Sequence, residues 1–309
     1  MILTVTLNPS LDLTLFLSKL RIGRVHRSDK EILIPGGKGI NISRTLKIFN
    51  EDTYVLGISG GKTGEILEEE LRKREIPFDF VKMKKDIRFA VGIIETENKR
   101  PTTVINGRGP EISMEDIYEL KEKFKKLIIN SKFVVLSGSI PPGVPSDIYS
   151  ELLDISGNYP VIKVLDAQGD ALKISLEKKP DIIKPNREEA EEILDFSIKT
   201  KRDLKRAGYF FKDKGIKYSL ITLGEKGAFL ATEEDMFFAT LPPIKGFNWG
   251  AGDAFLAGFI IGIKNNDPVY ALKLAYSTAY IKIQKLELKK EDISLIFNLL
   301  NKVEIQKII

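Results

Sequence analysis

Phe133-Val134-Val135-Leu136-Ser137 opens a series of short apolar runs that continues at Val161–Asp166, Asp181–Lys184 and Tyr218–Thr222. Each run has strand length and is rich in β-branched residues. Between and around them, apolar residues recur at helical spacing, which predicts helices over 114–129, 146–155, 169–178, 187–195 and 201–213. Strand and helix alternating in this way predict an α/β fold, a central, mostly parallel sheet with helices on both faces. Ligands of such a sheet lie beyond the carboxyl ends of its strands.

Working outward, residues 2–7 read as a further buried strand that stops at the turn Asn8-Pro9-Ser10. Leu11, Leu13, Leu15 and Leu17 then alternate with Asp12, Thr14 and Phe16, a strand with one apolar face. A strand near Glu31–Ile34, a helix opened by Gly36-Gly37-Lys38-Gly39-Ile40-Asn41 and running through about Phe49, strand 54–58, helix 63–75 and strand 78–82 follow. Segments 87–95 and 101–106 look like paired strands. The strands at 11–34 and 87–106 break the parallel pattern, so they are expected to form a small separate sheet over the site. Beyond Thr222, residues 226–239 read as a hairpin, and helices at about 268–286 and 291–302 are expected to complete the chain. The whole of 1–309 is read as a single α/β domain with a small β lid from 11–35 and 87–107.

Lys and Arg number 48 against 43 Asp and Glu, a net charge of +5, with the signs interleaved. The basic clusters Lys82-Met83-Lys84-Lys85 and Lys199-Thr200-Lys201-Arg202 are short and lack interleaved aromatics, so neither a nucleic-acid partner nor a membrane is expected. The absence of cysteine excludes disulfides, thiol nucleophiles and cysteine-ligated zinc, and the single histidine, His26, excludes a histidine metal cluster. Met1–Leu7 has no basic flank or cleavage site of a secretion signal, which leads to the expectation of a soluble cytoplasmic protein.

The chemistry concentrates in Phe247-Asn248-Trp249-Gly250-Ala251-Gly252-Asp253 and the uncharged run Ala254–Ile263 that follows it. The run reads as a helix buried on every side and too short to cross a bilayer. Two glycines and an alanine leave the first-turn N–H groups bare at the positive end of its dipole, an anion site. A carboxylate beside such a site suits phosphoryl transfer, where amides stabilise charge on the moving group and the carboxylate deprotonates the attacking hydroxyl. Taken alone, Asp253 could equally be a helix cap. Gly57-Ile58-Ser59-Gly60-Gly61-Lys62-Thr63 resembles a Walker A loop but has Leu56 where the first glycine belongs, so it is set aside.

Together with Asp12 after Asn8-Pro9-Ser10, Gly36-Gly37-Lys38-Gly39-Ile40-Asn41 and Lys184-Pro185-Asn186-Arg187-Glu188-Glu189, this stretch resembles the signature of the PfkB/ribokinase family of sugar kinases over nearly the whole chain. The resemblance implies a ribokinase-like fold with a β-sheet lid that often makes a dimer contact. It implies ATP and Mg2+ as cofactors, Asp253 with Gly250, Ala251 and Gly252 at the catalytic centre, and sugar binding by Asp12, Gly37, Asn41 and Ser139, the last in Ser137–Gly143. Arg27, Lys38, Arg88 and Arg108 are the basic residues expected near a phosphate already on the sugar, because guanidinium groups match phosphate bidentately. Lys184, Asn186, Thr222, Gly224 and Gly227 are expected at the nucleotide phosphates, with Glu189 acting on magnesium through water. The chain departs from the family in Asp166-Ala167-Gln168-Gly169, where a serine usually precedes the glycine, in Trp249, and in residues 280–288, which lack the small residues usual near adenine.

The expected reaction is ATP-dependent phosphorylation of a ketohexose phosphate, fructose 1-phosphate to fructose 1,6-bisphosphate, by a homodimer. Thr103–Pro110 resembles that branch of the family more than the tagatose branch. Tagatose 6-phosphate or fructose 6-phosphate as acceptor, an unphosphorylated sugar or nucleoside, and a sugar-phosphate sensor that has lost catalysis are the alternatives.

Overall fold

The computed structural model describes residues 1–97 and 102–308; the part of the expected lid at 98–101 lies outside the described residues. The chain begins with β1 (Ile2–Thr6), β2 (Ser10–Leu17), β3 (Lys30–Gly36) and α1 (Lys38–Ile48), then β4 (Thr53–Gly60), α2 (Gly61–Lys73), β5 (Phe78–Met83), β6 (Arg88–Glu95) and β7 (Thr103–Asn106). The regular alternation follows as α3 (Met114–Ile128), β8 (Phe133–Ser137), α4 (Ile148–Ser156), β9 (Ile162–Asp166), α5 (Gly169–Leu176), β10 (Ile182–Ile183), α6 (Arg187–Leu194), α7 (Lys201–Asp213) and β11 (Tyr218–Thr222). A hairpin of β12 (Ala228–Ala231) and β13 (Met236–Thr240) leads into α8 (Ala251–Ile263), α9 (Pro268–Gln284), α10 (Ile293–Leu299) and a last strand, β14 (Glu304–Lys307).

The main sheet has ten strands in the order β14-β13-β12-β11-β10-β9-β8-β1-β4-β5. From β5 to β11 every neighbouring pair is parallel, and β12, β13 and β14 are added antiparallel. Successive side chains of a strand point to opposite faces. Val134 and Leu136 of β8 accordingly join a core with α3, α4, α5 and α7, while Phe133 and Val135 join a second core with α1, α8 and α9. The expected α/β architecture, with its mostly parallel sheet and small separate sheet, is the one observed.

Helix α8 is buried on nearly every face, as its uncharged sequence requires. It lies close to α9 because Gly262 is opposite Ala271, where a Cβ would come within 2.5 Å of the Ala271 Cα. Phe259 has no exposed surface, and truncating such a side chain to alanine costs about 3–5 kcal/mol. This packing fixes where the N-terminus of α8 points.

A separate four-stranded sheet has the order β3-β2-β6-β7. Its period-2 alternation gives it two characters: Ser10, Asp12, Arg88, Ala90 and Asn106 face a cavity, while Leu13, Leu33, Phe89 and Ile105 share the other face. One expectation is corrected. The chain does not end in helices, because α10 stops at Leu299 and Glu304-Ile305-Gln306-Lys307 adds β14 to the sheet edge. Among the described residues, no helix is long and apolar enough to cross a membrane.

Candidate active site

A cavity of about 1630 Å³ opens at the carboxyl ends of the parallel strands, lined by Thr6 at the end of β1, Gly138 after β8, Lys184 after β10 and Thr222 at the end of β11. The small sheet closes one side. Every residue assigned to the site from the sequence lines this cavity except Arg27. Arg27 is exposed in the connection between β2 and β3, outside the cavity of its own chain.

Gly250 sits at the N-cap of α8 with φ 77°, a left-handed conformation that favours glycine, and the helix has no side-chain cap. The carboxylate of Asp253 therefore does not cap it. Instead, Oδ2 accepts a 2.8 Å hydrogen bond from Nδ2 of Asn41. In the first turn of α8 the Ala251 N–H donates to the Asn248 carbonyl at 3.1 Å and the Ala254 N–H to the Gly250 carbonyl, which leaves those of Gly252 and Asp253 available to an anion. Burial pushes the Asp253 carboxyl up to about 6, and the charge of Asp166 adds to it, while Lys38, the Asn41 bond and Lys184 oppose it. A carboxylate of this kind is poised to accept a proton near neutral pH.

Asp166, at the end of β9, is completely buried and holds two ammonium groups to the cavity wall: Lys38 Nζ and Lys184 Nζ each lie 3.2 Å from its Oδ1. Burial alone would raise the Asp166 carboxyl, yet Lys184 and Lys38 hold it below the usual range. The Lys38 ammonium is in turn held protonated by Asp166, Glu189 and Asp253 against the effect of burial. A Cβ on Gly252 would lie 3.5 Å from Lys184 Nζ, so this lysine faces the amide cradle directly. Together they form a cationic wall beside a helix N-terminus, an arrangement that can neutralise a polyphosphate. The sequence reading noted Asp166 only as part of a departure from the family.

At the other end, Asp12 is buried and accepts 2.6 Å from Ser10 Oγ. Burial raises its carboxyl to about 6, with Ser10, Arg44 and Arg88 opposing and Asp253 adding. Gly36 makes room for it, since a Cβ there would fall 2.0 Å from Asp12 Oδ1. Arg88 donates through Nε and Nη2 to the Asn8 carbonyl at 3.2 and 3.1 Å, and burial lowers its pKa against the pull of Asp12. Asn8, a turn residue by its sequence, donates to Ser139 Oγ and to the Arg108 carbonyl, and its own Oδ1 is buried without a partner among the described residues. Gly37 is the N-cap of α1, which carries Lys38 and Asn41 into the cavity.

Asn186 and Glu189 form a reciprocal capping box at the start of α6, using one carboxylate oxygen of Glu189. Both still line the cavity, as do Thr222, Gly224 and Gly227 at the β11–β12 turn. Among the described residues no group of three acidic or histidine side chains could hold a metal. The donor set fits magnesium held chiefly by phosphate oxygens and water with one outlying carboxylate. The apolar end is lined by Leu241, Tyr276, Ala279 and Ile283. In the Walker-like loop at 57–63, Thr63 donates from N and Oγ1 to Asp86 at 3.0 and 3.2 Å, so its turn is occupied by a carboxylate of the chain itself.

The sequence pattern of the pfkB family carbohydrate kinases matches residues 7–291. Over 270 residues the chain is 36% identical to the 1-phosphofructokinase of Bacillus subtilis (strain 168), which covers 87% of this chain and 88% of the relative. It is 32% identical over 269 residues to the tagatose-6-phosphate kinase of Staphylococcus epidermidis, covering 85% of each. A solved structure of a possible 1-phosphofructokinase from Thermotoga maritima superposes with a TM-score of 0.92 at 28% identity over 100% of both chains. Phosphofructokinase-2 from Escherichia coli, in complex with substrates and products, shares the fold with a TM-score of 0.90 at 22% identity, over 97% of this chain and 99% of that one.

Proposed function

The chain belongs to the pfkB family of carbohydrate kinases, and from that premise we propose that it is a 1-phosphofructokinase, transferring the γ-phosphoryl group of ATP to the 6-hydroxyl of fructose 1-phosphate. The observation that carries this reading is the position of Asp253, buried beside the open amides of α8 and between the Lys38–Asp166–Lys184 wall and the Asp12–Arg88 end of one cavity. In this reading Asp12 and Asn41 orient sugar hydroxyls, and Gly37 and Ser139 contact the sugar beside them. Arg88 takes the phosphate the sugar already carries, while Lys38, assigned to that phosphate from the sequence, stands instead with Asp166 and Lys184.

The sugar hydroxyl gives its proton to Asp253 as its oxygen bonds to the γ-phosphorus, the bond to the β–γ bridging oxygen breaks, and ADP leaves with that electron pair. The amides of Gly252 and Asp253 lie at the N-terminus of α8, where charge on the transferring group is stabilised, and Gly250 and Ala251 allow the close approach. Lys184, Asn186, Thr222, Gly224 and Gly227 bind the nucleotide phosphates. Glu189 is the carboxylate that would reach, through water, a magnesium ion arriving with the nucleotide, and that ion would supply neutralising charge. We read the small sheet as a lid that excludes water, and ATP with a sugar phosphate as cytoplasmic substrates.

ADP release measured with a panel of free and phosphorylated sugars tests the reading. Fructose 1-phosphate is expected to give the highest kcat/KM. Faster turnover of tagatose 6-phosphate or fructose 6-phosphate would move the acceptor within the family, and equal turnover of free fructose or ribose would overturn the phosphate site.

A further inference from the structure

Lys282 stands in the last turn of α9, within the segment 280–288 that departs from the family. A lysine at a helix C-terminus ordinarily lies in solvent and meets the last carbonyls of its own helix. Lys282 does this only in part: its Nζ is 3.3 Å from the Lys285 carbonyl, but its shorter bond, 2.8 Å, goes to the carbonyl of Trp249. Trp249 immediately precedes the cradle at the start of α8. A Cβ built on Gly250 would lie 3.6 Å from Cε and 3.9 Å from Nζ of Lys282, so the ammonium rests against the cradle itself. Opposite, the Trp249 ring reaches the small sheet, where a Cβ on Gly92 would come within 2.6 Å of it.

We propose that Lys282 is a positioning residue for phosphoryl transfer, a tethered cation that clamps the Trp249 and Lys285 carbonyls and so fixes the loop entering α8, deepening the kinase reading on which it rests. The ammonium also adds positive charge beside Gly250, in the same cradle that Lys184 meets at Gly252. A second cavity of about 430 Å³, lined by Trp249, Gly250, Lys282, Arg44 and Glu287, adjoins it and leaves room for a small cation to replace a deleted side chain.

The charge state of this clamp is within reach of ordinary pH. Burial lowers the Lys282 ammonium to about 8, with Arg44 adding and Asp253, Glu287 and Asp12 opposing. Of the other groups that face it, burial raises the carboxyls of Asp253 and Asp12 to about 6, and Glu287 is held below the usual carboxylate range by Arg44 and Arg74 against the effect of burial. Lys282 is thus the facing group that changes charge between about 7 and 9.

Trp249 is the only tryptophan of the chain, so its emission reports the clamp without turnover. Emission should change as pH rises through about 8 in the wild type and stay flat in Lys282→Met. With the sugar phosphate that the wild type accepts, kcat of Lys282→Met should fall roughly 10- to 100-fold with both KM values nearly unchanged, and its alkaline limb should vanish. Methylammonium should restore part of the kcat of Lys282→Ala. Wild-type kcat with an unaltered alkaline limb in Lys282→Met overturns the proposal, as does a Trp249 emission that ignores pH in both proteins or a Lys282→Ala defect that methylammonium leaves untouched. If no sugar phosphate is turned over at all, the kinase reading fails instead, and the emission titration still decides the clamp.

Discussion

The side-chain amide of Asn41 donates a 2.8 Å hydrogen bond to Oδ2 of Asp253, joining the first turn of α1 to the first turn of α8 across 212 positions of the chain. Both helices pack on the same face of the main sheet, so the bond is set by the core and not by a flexible loop. Its effect is electrostatic: it is one of the influences that restrain the rise of the Asp253 carboxyl. Removing it with Asn41→Ala should raise that carboxyl further, by about 1–2 pH units for a charge-assisted bond of about 1.5–3 kcal/mol. The acid limb of kcat/KM should move from near 6 toward 7–8. Measured pH profiles of the two proteins check this, and coincident limbs would show that Asn41 does not tune Asp253.

Asp253→Asn should separate activity from stability. As the proton acceptor, Asp253 accounts for roughly 10²–10⁴ in turnover. Its burial acts in the opposite direction on folding. The folded carboxyl is raised from 3.8 to about 6, so between these values the folded state binds more protons than the unfolded one, and stability falls as pH rises through the window. At pH 7 the ionised group therefore costs up to about 3 kcal/mol, which the amide avoids. Thermal melts should place Asp253→Asn above the wild type at pH 7 and level with it near pH 4, with ATP still bound. A variant that melts lower at pH 7 would mean that the carboxylate is a net stabiliser.

How much of this was legible depended on whether a residue's surroundings are local. Strands β8 and β11 run over Phe133–Ser137 and Tyr218–Thr222 as the sequence predicts, because most side chains in them are buried and the runs are largely apolar. Strand β14 was not legible, since an exposed edge strand carrying a single apolar residue, Ile305, has no periodicity to detect. The same holds in the site. Asn41 and Asp253 were readable from their motifs. Asp166 was not, because its meaning comes from Lys38, 128 positions away, and from Lys184. Arg27 was grouped with the phosphate ligands on its charge, but which way the β2–β3 connection faces is decided by sheet register, which composition does not carry.

The outer face of the small sheet predicts a homodimer. Phe89 and Ile105 are 45% and 59% exposed, and Leu33 lies beside them on the same face, an apolar patch on a sheet that presents its polar face to the cavity. A second copy of this chain, pairing face to face, would cover it. Light scattering at micromolar concentration should give twice the chain mass, and Phe89→Lys combined with Ile105→Lys should give the monomer with an unchanged far-ultraviolet spectrum. A wild type that is monomeric under these conditions would remove the interface.

Arg88 decides whether the acceptor already carries a phosphate. It stands at the start of β6 beside Asp12, and burial disfavours its charge. Its fork is spent on neutral groups, the Asn8 carbonyl and, at 3.4 Å, the Gly107 carbonyl. A neutral sugar needs only the hydroxyl partners supplied by Asp12 and Asn41, and a half-buried guanidinium that makes no ion pair among the described residues is costly for such a task. A phosphate dianion repays that cost through charge-assisted hydrogen bonds worth about 1.5–3 kcal/mol. Arg88→Ala should therefore weaken fructose 1-phosphate binding by roughly 10- to 150-fold and leave the KM for ATP nearly unchanged. Arg88→Lys should recover only part of the loss, because an ammonium keeps the charge and loses the planar fork. Initial-rate kinetics with each substrate varied in turn measure this, and a loss of affinity confined to ATP would put Arg88 at the nucleotide and the sugar's phosphate elsewhere.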